Sequence, residues 1–236
     1  MRSFKRDLVI VFLFAVAMGI FESIVVVYLW EIYYPDGFAF PLPFPDFRIF
    51  RIELVREFTT LVMLISVGLL LGKSRNGKFA WFLLVFGIWD IIYYVGLKLF
   101  LGWPFSLLTW DILFLIPVVW VGPVLAPLIC ALTMVVYGLL IGWNDAKGIT
   151  IKLGKKAWVL MIGGAILVFY SFIEEFTLLL IENGFFSVNV SLRNTELIDH
   201  ITSFVPQQFN WWIFGLGELF ILIAFVMTYR KYPYKT

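Results

Sequence analysis

Six acidic side chains fall inside stretches of sequence that are otherwise almost entirely apolar. They are Glu22, Glu57, Asp90, Glu174, Glu175 and Glu218. A charged group at the centre of a lipid bilayer costs roughly 3 kcal/mol or more, so an acid in such a stretch indicates a functional site. Three kinds of chemistry suit acids with few basic partners: passage of a cation or proton, binding of a divalent cation, and acid–base catalysis on an apolar substrate.

The best candidates for a central site are Glu22, Asp90 and Glu218. They lie deepest in their apolar stretches, and only Asp90 has a basic residue, Lys98, at a helical spacing in its own stretch. We expect these three acids to bind a transported cation or proton, or to act as ligands of a divalent cation such as Mg²⁺ or Ca²⁺. Hard cations of this kind prefer the oxygen atoms of carboxylates.

A second group of residues is predicted to form an outer gate above that site. Arg56 and Glu57 belong to it, together with Glu174. Because Glu53, Arg56, Glu57 and Thr60 follow the spacing i, i+3, i+4, i+7, they form one polar stripe on a helix. An equal alternative for Arg56 is an interfacial ion pair with Glu53 or Glu57 that fixes the depth of the helix.

Asp111 is a further candidate for binding a transported ion or a substrate. Unlike the other acids, it lies in an apolar segment that is interrupted by prolines. Asp90, Tyr94 and Lys98 are spaced four residues apart. This spacing would let the Lys98 ammonium reach toward Asp90 past Tyr94. A lysine near the end of a membrane helix also extends to the membrane surface, and this alternative stays open.

The chain contains one cysteine, Cys130, and one histidine, His200. A zinc site or a carboxylate-bridged di-iron site draws on more of these residues than the chain supplies. Motifs for nucleotide binding, for zinc peptidases and for a serine nucleophile are also missing. Catalytic residues therefore stay unassigned at this stage, and so does the question of whether the protein is an enzyme.

The composition identifies the kind of protein that must position these residues. Hydrophobic residues make up 62% of the chain and charged residues 14%, with a mean hydropathy of +0.95. Soluble domains are about 45–50% apolar and about 25% charged. This composition excludes a soluble enzyme and a nucleic-acid-binding protein, and it predicts a polytopic protein in a lipid bilayer.

Hydropathy predicts six transmembrane helices, because about 20 apolar residues span the hydrocarbon core. Five spans are direct: Leu8–Trp30, Ile52–Leu71, Phe79–Leu101, Ala157–Ile181 and Trp211–Tyr229. Phe105–Gly142 is too long for one span and is interrupted by prolines, which break helices. We predict one span at Pro123–Gly142, preceded by a re-entrant or tilted segment at Phe105–Trp120. The alternative is a bundle of seven full transmembrane helices.

Clusters of lysine and arginine predict the orientation of the helices. Such clusters precede the first span, follow the second, precede Ala157 and end the chain. The positive-inside rule places all four clusters in the cytoplasm, so both termini are predicted to be cytoplasmic. The six intramembrane acids then lie between mid-membrane and the outer face. This distribution predicts a polar cavity that is open or gated toward the outside.

Two segments on the predicted outer face have distinctive sequences. Tyr33–Phe47 has prolines between aromatic residues, which prevents a regular helix and suggests a lid on the membrane surface. Asn183–Gln208 is more polar and predicts a short interfacial helix. Asn189-Val190-Ser191 within it matches a glycosylation motif.

We therefore expect one integral membrane domain over residues 1–236, an all-α helix bundle in contact with the lipid bilayer. The leading hypothesis is a small transporter of a cation, a proton or a proton-coupled solute. One alternative is a membrane enzyme that acts on a lipid or isoprenoid by metal-assisted or carboxylic acid–base chemistry. Another is an accessory subunit of a membrane complex, and a homo-oligomer is equally open. A cavity closed at its inner end would favour the enzyme.

Overall fold

The computed structural model describes residues 4–34, 37–38, 40–41, 46–149, 151, 153–182 and 203–230. The predicted lid over Tyr33–Phe47 lies partly outside these residues. Most of the predicted interfacial helix within Asn183–Gln208 lies outside them, as do the motif Asn189-Val190-Ser191 and His200.

Six helices and one two-stranded hairpin make up the described chain. In chain order they are α1 (Phe4–Tyr33), α2 (Phe47–Leu71), α3 (Arg75–Leu101), β1 (Trp110–Phe114), β2 (Trp120–Pro123), α4 (Leu125–Ala146), α5 (Lys155–Glu182) and α6 (Trp211–Arg230). All six helices are long and apolar enough to cross a membrane. The predicted all-α membrane bundle with six spans is confirmed. The described ranges contain no seventh helix of this kind.

Helix α3 is the centre of the first four helices and packs against α1, α2 and α4. Small residues allow these contacts to be close. A methyl group at Gly87 of α3 would stand 2.5 Å from the carbonyl oxygen of Ala131 in α4, so only glycine fits there. Helices α5 and α6 pack mainly against each other. Their backbones meet at Gly164 and Gly217, as is common where membrane helices approach closely.

One end of the bundle, which we call the terminal end, contains the start of α1 and the end of α6. The Phe4 ring packs against Trp81 of α3 and Trp143 of α4, with ring centroids 5.5 and 5.0 Å away. The described lysines and arginines of the predicted cytoplasmic clusters lie at or next to helix ends on this side. Which side of the membrane this end faces stays a prediction.

A buried acid holds the terminal end together. The Asp145 carboxylate, in the last turn of α4, accepts hydrogen bonds from the backbone N–H groups of Lys73 and Ser74, at 2.9 and 3.1 Å. It thereby satisfies donors at the tight turn between α2 and α3, where free N–H groups would otherwise stay unpaired. We read Asp145 as a structural residue.

The opposite end, which we call the loop end, carries the hairpin. The segment Phe105–Trp120, predicted to be re-entrant or tilted, forms β1, the hairpin turn and the first residue of β2. The strands are antiparallel, with Trp110 opposite Pro123 and Asp111 opposite Gly122. A hairpin suits this proline-containing segment because its ladder satisfies backbone groups that a broken helix would leave unpaired.

The hairpin reaches well into the bundle and bridges two helices. Its turn contacts Glu57, which lies about 15 Å along α2 from Phe47 at 1.5 Å per residue. On the other side, β2 packs against α5, where the rings of Trp120 and Phe169 are 4.8 Å apart. The hairpin thus separates α2 from α5.

Candidate binding cavity

A cavity of about 420 Å³ lies at the centre of the loop-end half of the bundle. It is lined by α1 to α5, by the hairpin and by residues of the connecting segments. Aromatic side chains form much of its wall, among them Trp30, Phe86, Trp89, Tyr93, Phe114 and Trp120. A volume of roughly 300–1,000 Å³ with mostly apolar walls is typical of small-molecule sites.

The polar stripe of α2 faces this cavity, as its helical spacing predicts. Glu53, Arg56, Glu57 and Thr60 all line it. Arg56 forms ion pairs with Glu22 of α1 and with Glu53, whose Oε2 lies 2.7 Å from the Arg56 Nε. Arg56 is therefore held by acids of two helices. The sequence had indicated Glu53 as a partner of Arg56, but it had not indicated Glu22.

Glu57 has a different partner from Arg56. Both of its carboxylate oxygens accept from the backbone N–H of Leu115, at 3.0 and 2.9 Å. Leu115 directly follows β1, so this contact attaches the hairpin turn to α2. Glu57 is buried, and a buried carboxylate requires such donors because it has lost its water.

Asp111 also lines the cavity, and it is buried within the hairpin. The Tyr94 hydroxyl of α3 donates a hydrogen bond to Asp111 Oδ2 at 2.9 Å. The predicted link from Lys98 through Tyr94 to Asp90 is not formed. The Lys98 ammonium instead donates to the carbonyl oxygens of Gly102 and Pro104, both at 2.9 Å, beyond the end of α3.

Asp90 is the acid with the fewest contacts in the cavity wall. It is half-buried, and it lies near Asp111. Within the described ranges, no group donates a hydrogen bond to Asp90 or forms an ion pair with it, whereas the other lining acids each have such a partner. Asp90 is therefore the acid most open to a ligand.

The cavity has an excess of acidic groups. Five acids line it, namely Glu22, Glu53, Glu57, Asp90 and Asp111, and the only basic residue among the described lining residues is Arg56. Like charges that share an apolar site cannot all be ionised without a compensating cation. The wall therefore favours a bound cation or bound protons, and it disfavours an anion.

Glu174 and Glu175 lie outside the cavity lining. The Glu174 carboxylate accepts from Asn210 at 3.2 Å and from the Tyr170 hydroxyl at 3.3 Å. Glu175 accepts from the backbone N–H of Gln207 at 2.7 Å. Glu174 therefore does not join Arg56 and Glu57, and the predicted outer gate is not assembled as a unit in this structure.

Glu218, the third predicted central residue, lies behind the cavity wall. It is buried in α6, and its Oε2 accepts from the Thr133 hydroxyl of α4 at 2.9 Å. Cys130, one turn earlier in α4, lines the cavity. Glu22 and Asp90 thus share the cavity wall, whereas Glu218 is not among the described residues that line it.

Sequence reasoning missed several of these contacts. Cys130 and Thr133 are three residues apart on an apolar helix. This spacing was the one feature of the sequence that indicated that they share a helix face. The hydrogen bond from the backbone N–H of Leu115 to Glu57 could not be predicted, because a backbone donor leaves no pattern of residue types in the sequence. Within the described ranges, no group of three histidine, cysteine or acidic residues could hold a metal ion. The predicted metal ligands Glu22, Asp90 and Glu218 are not brought together.

The cavity does not continue to the terminal end. Beyond it, α1, α2 and α3 pack a buried apolar cluster that includes Ala15, Leu64, Trp81, Leu84 and Val85. In the ranges that the structure describes, the residues that line the cavity therefore belong to the loop-end half of the bundle.

Comparison with known proteins does not place this site in a family. No protein family, no curated protein and no solved structure matches the chain. The chain is a multi-pass membrane protein, and its function must be argued from the cavity.

Proposed function

We propose that this protein is a small transporter that exchanges an organic cation with an apolar body for protons. The observation that supports this function is the aromatic-walled cavity with five acids and one arginine. Aromatic faces attract cations, by about 0.5–1 kcal/mol at exposed sites and about 2 kcal/mol where water is excluded. Asp90 would pair with the positive charge because no described residue already does so.

An organic cation fits this cavity better than a metal ion does. Ca²⁺ takes about six to eight oxygen ligands, and Mg²⁺ demands near-ideal octahedral geometry. The acids here are instead held by Arg56, Leu115 and Tyr94. A largely apolar cavity also removes an organic cation from water at little cost, whereas it would leave a metal ion without its hydration shell.

Exchange for protons follows from the same excess of acids. In an empty cavity, some of these acids must carry protons, because the charges would otherwise repel one another. A bound cation stabilises the ionised form, so cation binding releases protons.

Binding of benzyltrimethylammonium to the purified protein, measured by titration calorimetry, tests the proposed site. Benzenesulfonate, an aromatic anion of similar size, is the ligand control. We expect the cation to bind and the anion not to bind. Asp90→Asn should weaken the binding of the cation about tenfold or more, because the acid that pairs with the ammonium is lost.

Glu31→Gln is the matched control, since Glu31 is an exposed acid of α1 outside the cavity lining. This variant should bind the cation as the unmodified protein does. Equal binding of the anion, or unchanged affinity in Asp90→Asn, would contradict the proposed site.

A membrane enzyme that acts on a lipid or isoprenoid is the second candidate. The observation that favours it is the apolar cluster of Leu64, Trp81 and Leu84, which closes the cavity toward the terminal end. Flux of radiolabelled benzyltrimethylammonium into liposomes containing the protein separates the two functions. The transporter must move the cation, whereas an enzyme would bind it without moving it and would convert a component of a total lipid extract.

A further inference from the structure

We propose that the cation taken by this cavity is a protonated primary or secondary aromatic amine, whose N–H groups donate to both Asp90 and Tyr93. This inference rests on the proposed function and narrows its substrate class. It also makes the Tyr93 hydroxyl the group that distinguishes an amine from a quaternary ammonium ion.

One face of α3 carries a stripe of aromatic and polar side chains that line the cavity. Phe86, Trp89, Asp90 and Tyr93 follow the spacing i, i+3, i+4, i+7, so they share that face. The polar stripe of α2 lines the same cavity, but its acids already have donors or an ion-pair partner. Recognition of a ligand in this cavity therefore depends on α3.

Two oxygen-bearing side chains of the α3 stripe have no hydrogen-bond partner among the described residues. They are Asp90 and Tyr93, and both are partly exposed while they line the cavity. The neighbouring Tyr94 differs, because its hydroxyl donates to Asp111 at 2.9 Å. Polar groups enclosed by apolar walls require partners, so Asp90 and Tyr93 are both open to a ligand.

The spacing of these two groups suits an ammonium that carries at least two N–H bonds. Residues three apart on a helix have Cβ atoms roughly 5–6 Å apart. One nitrogen that donates to two oxygens at about 2.8 Å each spans acceptors that are roughly 5 Å apart. A primary or secondary ammonium can therefore bridge Asp90 and Tyr93. A quaternary ammonium has no N–H group and leaves both oxygens without a donor.

The aromatic members of the stripe provide the place for the body of the amine. The rings of Phe86 and Trp89 have centroids 5.4 Å apart, and the ring of Phe114 in the hairpin lies 6.4 Å from each of them. Trp89 directly precedes Asp90, and its ring is stacked with that of Tyr93 at a centroid distance of 6.4 Å. An aromatic ring one or two carbon atoms from the ammonium would therefore pack against these rings. Its nitrogen would stay beside Asp90 and Tyr93.

Stepwise N-methylation of benzylamine tests the proposal on the unmodified protein. Protonated benzylamine and N-methylbenzylamine offer at least two N–H groups, N,N-dimethylbenzylamine offers one, and benzyltrimethylammonium offers none. We expect the first two to bind with similar affinity in titration calorimetry. The dimethyl compound should bind about tenfold more weakly or worse, because it loses one hydrogen bond from a charged donor. The quaternary ion should bind more weakly still.

This order of affinities is opposite to the order that charge and apolar contacts alone would produce. Each added methyl group brings apolar surface, and it lowers the cost of removing the ammonium from water. In a cavity that recognises only charge and apolar surface, benzyltrimethylammonium would therefore bind at least as tightly as benzylamine. That result would overturn the proposed substrate class and leave the proposed function intact.

Tyr93→Phe assigns the effect to one hydroxyl group. The variant keeps the ring and removes the oxygen, so it should bind benzylamine and N-methylbenzylamine about tenfold more weakly than the unmodified protein. Its affinity for the dimethyl and trimethyl compounds should be unchanged, because neither of them uses the Tyr93 hydroxyl. A general loss of structure would instead lower all four affinities together.

Tyr28→Phe is the matched control, since Tyr28 is an exposed tyrosine of α1 outside the described cavity lining. It should bind all four compounds as the unmodified protein does. If a folded Tyr93→Phe keeps the difference between the secondary and the tertiary amine, the role of Tyr93 is overturned. If none of the four compounds binds to the unmodified protein, the proposed function itself fails. If Tyr93→Phe does not fold, the four affinities of the unmodified protein still decide the substrate class.

Discussion

Arg56 is the positive charge that compensates two acids of the cavity wall. It is held between Glu22 of α1 and Glu53 of its own helix, and its side chain is 24% exposed. The Thr60 hydroxyl also donates to Glu22, at 3.4 Å. Removal of the guanidinium would leave two partly buried acids without their cation.

We expect Arg56→Gln to lower the stability of the protein by roughly 3–5 kcal/mol, the usual cost of breaking a buried ion pair from one side. Thermal unfolding in detergent measures this effect as a lower midpoint. The double variant Arg56→Gln with Glu22→Gln should recover part of the loss, because the uncompensated acid is removed. A double variant less stable than Arg56→Gln alone would contradict this account.

Individual side chains were predicted from sequence to different extents. The stripe of α2 was predictable because helical spacing fixes which residues share a face. The partner of each acid was not, since the same spacing leaves open which helix lies opposite. Glu218 illustrates the difference: the sequence grouped it with Glu22 and Asp90, yet its carboxylate accepts from Thr133 and it is not among the described residues that line the cavity.

At the scale of helices, the contact between α5 and α6 depends on two glycines. A methyl group at Gly217 would stand 2.7 Å from the backbone carbonyl oxygen of Gly164. Neither backbone can yield without separating the helices. Gly215, two residues away on the same helix, has no atom within 4 Å of the corresponding position.

Gly217→Ala should therefore destabilise the protein, by roughly 1–3 kcal/mol as is usual for overpacking. Gly215→Ala is the matched control and should be neutral or slightly stabilising, because alanine favours the helix. Thermal unfolding of the two variants side by side measures the difference. Equal midpoints would show that the α5–α6 contact is looser than this geometry requires.

The helices themselves were predictable from hydropathy, because a membrane span needs a long apolar run regardless of its neighbours. The hairpin was not predictable to the same degree. Its prolines indicated a break, but apolar strands and a broken apolar helix have the same composition. What distinguishes them is the pairing of two strands, here Trp110 with Pro123 and Asp111 with Gly122. A hydropathy profile carries no information about such pairing.

For the whole molecule, the arrangement of helices and the orientation in the membrane are separate questions. The described basic residues of the predicted cytoplasmic clusters lie on the side of the terminal end, and the cavity lies in the loop-end half of the bundle. The positive-inside rule predicts that the terminal end is cytoplasmic. The cavity would then lie in the half of the bundle that is farther from the cytoplasm.

Labelling with a membrane-impermeant maleimide tests this orientation in intact cells. Cys130 is first replaced by serine, and one new cysteine is introduced at an exposed position of each end. Ser106→Cys at the loop end should be labelled without lysis, and Ile149→Cys at the terminal end should be labelled only after lysis. The reverse pattern would place the cavity on the cytoplasmic side.

The pairing of Arg56 with Glu53 in the same helix also bears on how the protein is made. During synthesis, α2 enters the membrane before the hairpin and α5 have been made. The hairpin and α5 complete the cavity wall later. During that interval the arginine already has an anionic neighbour one turn away, independent of any other helix. The intrahelical pair would therefore ease the transfer of a charged helix from the translocon into lipid, and it would allow later helices to close around a polar surface.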